Sequence, residues 1–182
     1  NGVLAPRLYG LARVPVSRSL MQAAKGGPGL NSAGALSSAA AEIVDEMDVE
    51  ALYIIGPGTS AQSVALAAGQ TASTLGVDAM IGRKIVAHDV DNASLLRLAK
   101  GRKLRIVLGV TGQQGFLLGR GNQQIGADLI QRAGREGLMI LATEEKLTKL
   151  TQPRLLVDTG VPDLDLQLAG FVRVTTGKGR EM

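Results

Sequence analysis

The stretch Gly119-Arg-Gly-Asn-Gln-Gln124 sets Arg120 between Gly119 and Gly121 and then runs Asn122, Gln123 and Gln124 in a row. Carboxamides are poor acids, bases and nucleophiles, but each carries both a donor and an acceptor. Such a run suits recognition of an amide or a base edge. Arg120 adds a planar fork that fits phosphate or carboxylate. The competing account is a polar loop whose carboxamides bond backbone groups and cap the next helix. A second stretch, Gly56-Pro-Gly-Thr-Ser60, follows the apolar run Leu52–Ile55 and precedes an Ala-rich helix. Gly56 and Gly58 let a backbone come close to a ligand, and a helix start offers free N–H groups. Thr59 and Ser60 add hydroxyls. Phosphate, pyrophosphate or carboxylate would fit; a plain turn with Thr59 or Ser60 as helix cap fits equally. No Gly-Lys-Ser/Thr follows, so this is not a P-loop.

Asp158 and Thr159 end a third apolar run, Leu155–Val157. An acid there could bind a ribose hydroxyl, hold a metal through oxygen, or act as a base. An Asx-type turn is the simpler account. One Asp-Thr-Gly in an α/β pattern does not make an aspartic protease. Thr111-Gly-Gln-Gln-Gly115 repeats the glycine and carboxamide content after another strand; a flexible connector explains it as well. His88, beside Asp89 and Asp91, is a candidate proton shuttle or an ordinary loop histidine. Lys100-Gly-Arg-Lys-Leu-Arg105 reads as a solvated turn that interacts with a helix dipole.

The elements that must position these loops follow from periodicity. Apolar Leu36, Ala40, Ile43, Val44 and Met47 give a helix over 32–47, with Ser32 as its cap. Strands are expected at 52–55, 77–81, 84–87, 104–110, 138–142, 155–157 and 171–175. Helices are expected from Ala61 to about Leu75 and stopped by Gly76, then at 92–98, 127–133, 144–150 and 162–168. Asp91 or Asn92 caps the one at 92–98. Short apolar strands alternating with helices imply an α/β fold: a mostly parallel twisted sheet flanked by helices. Leu8–Val16 reads as an N-terminal β arm. With a glycine-rich loop it makes up residues 1–30, ahead of an α/β body at 31–182.

Composition limits the chemistry. The 182 residues contain no cysteine and one histidine, which excludes disulfides and thiolate metal sites and argues against zinc or a Ser-His-Asp triad. We expect no metal ligated by the chain. Only Tyr9, Tyr53, Phe116 and Phe171 are aromatic, so single-stranded nucleic acid is not an expected partner. The net charge of +4 favours a phosphorylated ligand or merely solubility. No apolar run reaches the ~18 residues of a membrane span. The chain opens on Asn1, so we expect a fragment of a longer protein, and a cytoplasmic one.

In combination the motifs resemble the ATP-NAD kinase-like proteins, a group that includes the X protein of acetoin-catabolism operons. Leu52–Ser60 resembles the family's LYILGPGTT. Gly112–Phe116 with Gly119–Ile125 resembles GGQGFIFGRGNQQIS. Ile140–Leu147 resembles VVATPEKL, and Arg154–Gly160 resembles RPLLVDTGD. Val77-Asp78 and Arg7–Gly10 fit too. Ser60 stands for the family's Thr, Gly126 for Ser, Glu144 for Pro and Val161 for Asp. The resemblance implies the C-terminal domain of an enzyme that phosphorylates NAD to NADP with ATP and Mg²⁺. It implies that Gly56, Gly58, Thr59 and Ser60 cradle phosphate and that Arg120 neutralises charge. Asn122, Gln123 and Gln124 would orient the ligand or a neighbouring domain, and Asp158 would hold ribose or position Mg²⁺. The family's catalytic Gly-Gly-Asp-Gly is not among these residues. A separate kinase domain is therefore an expected partner, as is a second copy in a homo-oligomer. NAD kinases have a β-dominated C-terminal domain; the local sequence here calls for helices. Two other readings are a free-standing sugar-phosphate enzyme and a regulatory or assembly module.

Overall fold

The computed structural model describes residues 30–111 and 114–182. The expected β arm, the loop at 25–29, and Gly112 and Gln113 lie outside the described residues. The rest is an α/β fold built on a seven-stranded mixed sheet of order β3-β2-β1-β4-β5-β6-β7. The strands are β1 (Leu52–Ile55), β2 (Asp78–Ile81), β3 (Lys84–Ala87), β4 (Leu104–Gly109), β5 (Leu138–Leu141), β6 (Val174–Gly177) and β7 (Arg180–Glu181). The four central strands β1, β4, β5 and β6 run parallel. Antiparallel β2 and β3 extend one side and β7 ends the other.

Both faces of the sheet are covered, which is why its central strands are continuous apolar runs rather than alternating ones. All four β1 residues are buried. Leu52 and Ile54 face α3 (Asn92–Leu98), α4 (Ala127–Ala133) and α6 (Pro162–Leu168) through Leu95, Leu129, Ile130, Leu164 and Leu168. Tyr53 and Ile55 face α1 (Leu30–Asp45) and α2 (Thr59–Ala67) through Leu36, Ile43, Val44, Ala61 and Val64. The short α5 (Glu144–Thr148) follows β5, with the Thr143 hydroxyl accepting from the Lys146 N–H.

Four elements differ from the sequence expectation. The helix after Gly58 stops at Ala67, not near Leu75. Gly69, at φ +71°, lets the Gln70 N–H return to the Ala65 carbonyl and the Gly69 N–H to that of Leu66, a Schellman-type stop that glycine favours. The strand expected at 155–157 is a single bridge, Leu156 to Phe116. The last strand lies at 174–177 and turns through Gly179 into β7. Helix α1 begins at Leu30, so Ser32 is inside it rather than its cap.

The basic residues have a structural use where helices end, at the amino edge of the parallel strands. Arg83 donates to the Asp45 carbonyl, Arg132 to those of Ala99 and Arg102, and Arg105 to that of Glu136. Arg135 reaches the carbonyls of Leu168, Ala169 and Phe171. These satisfy carbonyls that a helix leaves without partners and complement its dipole. Arg102 donates to the Glu50 carbonyl; both arginines of the cluster at 100–105 are thus occupied. Charged hydrogen bonds contribute more than neutral ones, but Arg135 is exposed, so we expect Arg135→Ala to cost about 1–2 kcal/mol. A fall in urea midpoint at constant slope checks this; an unchanged midpoint would show these contacts to be idle.

At the outer edge of β3, Gln70 Oε1 accepts the Ile85 N–H at 3.3 Å.

Candidate functional site

The helix that follows β1 packs on one face of the sheet and the helix that follows β4 on the other. Neighbouring parallel strands whose connections part in this way open a crevice beyond their carboxyl ends, the usual ligand position in open α/β sheets. Gly56–Ser60 leaves β1 at this crevice, and the segment that reaches Gly119–Gln124 leaves β4 beside it.

At the first loop, Gly56 is required by close approach. A Cβ there would lie 3.0 Å from the Val107 carbonyl oxygen, which accepts the Gly56 N–H. Gly109 is required in the same way by Ser60, whose Cβ would be 3.2 Å from an added one. The loop and the start of α2 are therefore pressed onto β4. Gly58 is the N-cap of α2 at φ +94°, and no side chain caps the helix. Ser60 is buried and Thr59 exposed. Neither serves as the cap residue, so the first N–H groups of this nine-residue helix keep their donors free. Open space surrounds the position of a Gly58 Cβ.

At the second loop, Asn122 is 3% exposed. Its Oδ1 accepts the Gly119 N–H at 3.0 Å and its Nδ2 donates to the Leu117 carbonyl at 2.7 Å. It holds the turn from inside. Arg120 is exposed, lies 4.7 Å from the Phe116 ring centroid, and has no carboxylate partner among the described residues. Gln123 is exposed and Gln124 half-buried. The Gly126 N–H donates to Asn92 Oδ1, and an added Cβ at Gly126 would meet that oxygen at 2.7 Å. Glycine in place of the family's serine thus makes room for Asn92, which joins the starts of α3 and α4.

The third motif sits against the second. A Cβ on Gly119, at φ +86°, would lie 2.0 Å from the Asp158 carbonyl oxygen, and the Asp158 N–H donates to the Leu118 carbonyl. The Asp158 side chain is exposed. Thr159 is tied down, its N–H and hydroxyl both donating to Asp165 Oδ1. Gly121 is exposed beside them.

A polar cluster centred on Asp78, to which the sequence reading gave no role, lies one strand away from the first loop. Asp78, paired in register with Ile55, is 1% exposed. Its carboxylate accepts the Ser73 N–H at 2.5 Å, the Ser73 hydroxyl at 2.7 Å and the Asp89 N–H at 2.9 Å. His88 Nδ1 lies 3.4 Å from it. Gln62 of α2 donates to the carbonyls of Ser73 and Thr74, tying this cluster to the glycine loop. The available signal was a lone acid between Val77 and Ala79 in an apolar strand. Nearby, Asp91 caps α3 by accepting the Ser94 N–H at 2.7 Å. The Ser94 hydroxyl, then its N–H, then the Arg97 charge hold the Asp91 carboxyl below its ordinary value.

The family model described as the ATP-NAD kinase C-terminal domain matches residues 48–181. The chain belongs to this family. No curated protein and no solved structure matches it. Every candidate residue named above lies within the ATP-NAD kinase C-terminal span, whereas α1 precedes it and still supplies one side of the core. Asp158 is an exposed carboxylate, and among the described residues no group of three or more His, Asp or Glu could hold a metal ion. Nor is any described helix long and apolar enough to cross a membrane.

Proposed function

We propose that this chain is the nucleotide-binding half of an ATP-NAD kinase-like phosphotransferase that converts NAD to NADP in the cytoplasm. The observation that carries the reading is the uncapped start of α2, opening beside Gly58 where the strand connections part. Backbone N–H groups there, with the Thr59 hydroxyl, take a phosphate of the nucleotide. Arg120, held over Phe116 and free of carboxylates, neutralises phosphate charge. Gln123 and Gln124 meet the ligand's amide or base edge, and Asp158 accepts from a hydroxyl of one of the two riboses of NAD. Asn122 and Thr159 keep these groups in place through the bonds already described.

The reaction moves the terminal phosphoryl group of ATP to the 2′-hydroxyl of NAD. Positioning and charge stabilisation dominate such transfers. These residues bind and orient; the aspartate of Gly-Gly-Asp-Gly that supports phosphoryl transfer, and any magnesium contacts, belong to a partner kinase domain. The chain alone therefore binds without turning over.

Calorimetric titration with NAD and with ATP–Mg²⁺, beside an assay for NADP, tests this. The expected result is binding without turnover, with Arg120→Ala weakening it about tenfold, the loss of one charged contact of about 1.4 kcal/mol. Indifference among NAD, ATP and sugar phosphates, or turnover of a sugar phosphate by the isolated chain, would replace this reading.

A further inference from the structure

A groove of about 550 Å³ opens where β3 passes into α3, lined among others by His88, Asp89, Asp91, Ser94 and Arg97. We propose that it is a hydroxyl-recognition subsite, in which His88 and Asp89 take the ribose diol of a nucleotide. This rests on the nucleotide-binding reading above and assigns it a further contact surface.

The argument starts with Asp78. Its buried carboxylate already has three donors, from Ser73 and Asp89, so it does not need His88 to be satisfied. What the contact at 3.4 Å does is orient the imidazole. A carboxylate beside Nδ1 favours the tautomer protonated there, leaving Nε2 as an acceptor. The His88 side chain is 59% exposed, and no described residue is bonded to Nε2. Asp89 is placed just as deliberately. It sits at φ +46°, uncommon for a residue with a side chain, and its N–H is held by Asp78. Its carboxylate lies against Gly76, where an added Cβ would come within 2.5 Å of Oδ1. An acceptor nitrogen and a carboxylate fixed on consecutive residues suit the two hydroxyls of a diol. Arg97 and Ser94 are bonded to each other and form the far wall.

The groove shares an edge with the phosphate cradle. β3 is two strands from β1, about 10 Å at the usual strand spacing, a distance that one nucleotide bridges. Gln62 and the 73–78 segment join the two places directly.

His88 is the chain's only histidine, so its imidazole proton resonances are a single, unambiguous probe. Titration of the whole chain with adenosine 5′-monophosphate is expected to shift them. The 2′,3′-dideoxy analogue is expected to shift them far less. His88→Gln and Asp89→Asn, the latter keeping a residue that tolerates positive φ, are each expected to weaken the monophosphate about tenfold and leave pyrophosphate unchanged. Equal response to both nucleotides, or a silent histidine, overturns the proposal. Calorimetric heat with a silent histidine overturns only this subsite; no heat and no shift overturns the nucleotide reading as well.

Discussion

Gly119→Ala is expected to destabilise the protein by about 4 kcal/mol, and Gly121→Ala by only about 1 kcal/mol, although both glycines have left-handed backbones. The backbone term is common to both, about 1–2 kcal/mol for an L side chain at positive φ. At Gly121 (φ +76°) nothing lies within 4 Å of an added Cβ. At Gly119 the same atom would stand 2.0 Å from the Asp158 carbonyl oxygen, so one of two loops must move, at the further ~1–3 kcal/mol typical of overpacking. Urea unfolding of the two variants isolates the difference. Equal losses would mean that the contact between the carboxamide loop and the Asp158 segment is soft. The expected inequality would also separate Arg120 from Asp158, so the Gly119 variant should bind nucleotide more weakly than its lost stability alone explains.

Asp78→Ala is expected to cost about 4 kcal/mol. Substitution removes the acceptor of the Ser73 and Asp89 N–H groups and of the Ser73 hydroxyl; these bonds are part-buried, so each donor left without a partner costs towards the lower end of about 1–3 kcal/mol. Ser73→Ala, which removes one donor and leaves the carboxylate with two others, is expected to cost nearer 1 kcal/mol. The midpoint of urea unfolding measures both, and amide exchange at Asp89 should quicken in the first variant alone. Comparable losses in the two would show that the hydroxyl, not the carboxylate, organises the cluster.

Local signals made most of the fold legible. The strands at β2 and β3 and the limits of α4 rest on neighbours in sequence and stand where the sequence implies, and of the two caps offered for α3 the structure uses Asp91. The helices expected on local propensity are present where the family resemblance implied a β-dominated domain. The early end of α2 was written in Gly69, but the Ala-rich context and Gly76 masked it. Leu155–Val157 has strand composition, yet only Leu156 finds a partner, because pairing depends on where the chain segment at Phe116 lies. At the candidate site, the glycine loops and Arg120 were visible as motifs. Asn122 looked like its two neighbours, and only its burial distinguishes it. Asp78 gathers donors from residues as far apart as Ser73 and Asp89, a convergence that no local pattern displays.

The amide that Gln70 occupies on the outside of β3 bears on how this molecule keeps company. An edge strand normally exposes a ladder of donors and acceptors on which a foreign strand can zip up. Here the strand is four residues long and Ile85, in its middle, is already answered from within the chain. Lys84 at its start puts a charge on the same rim. A second molecule cannot lengthen this sheet from that side without first evicting a side chain. At this edge, therefore, the open-ended strand addition that leads to fibres is disfavoured.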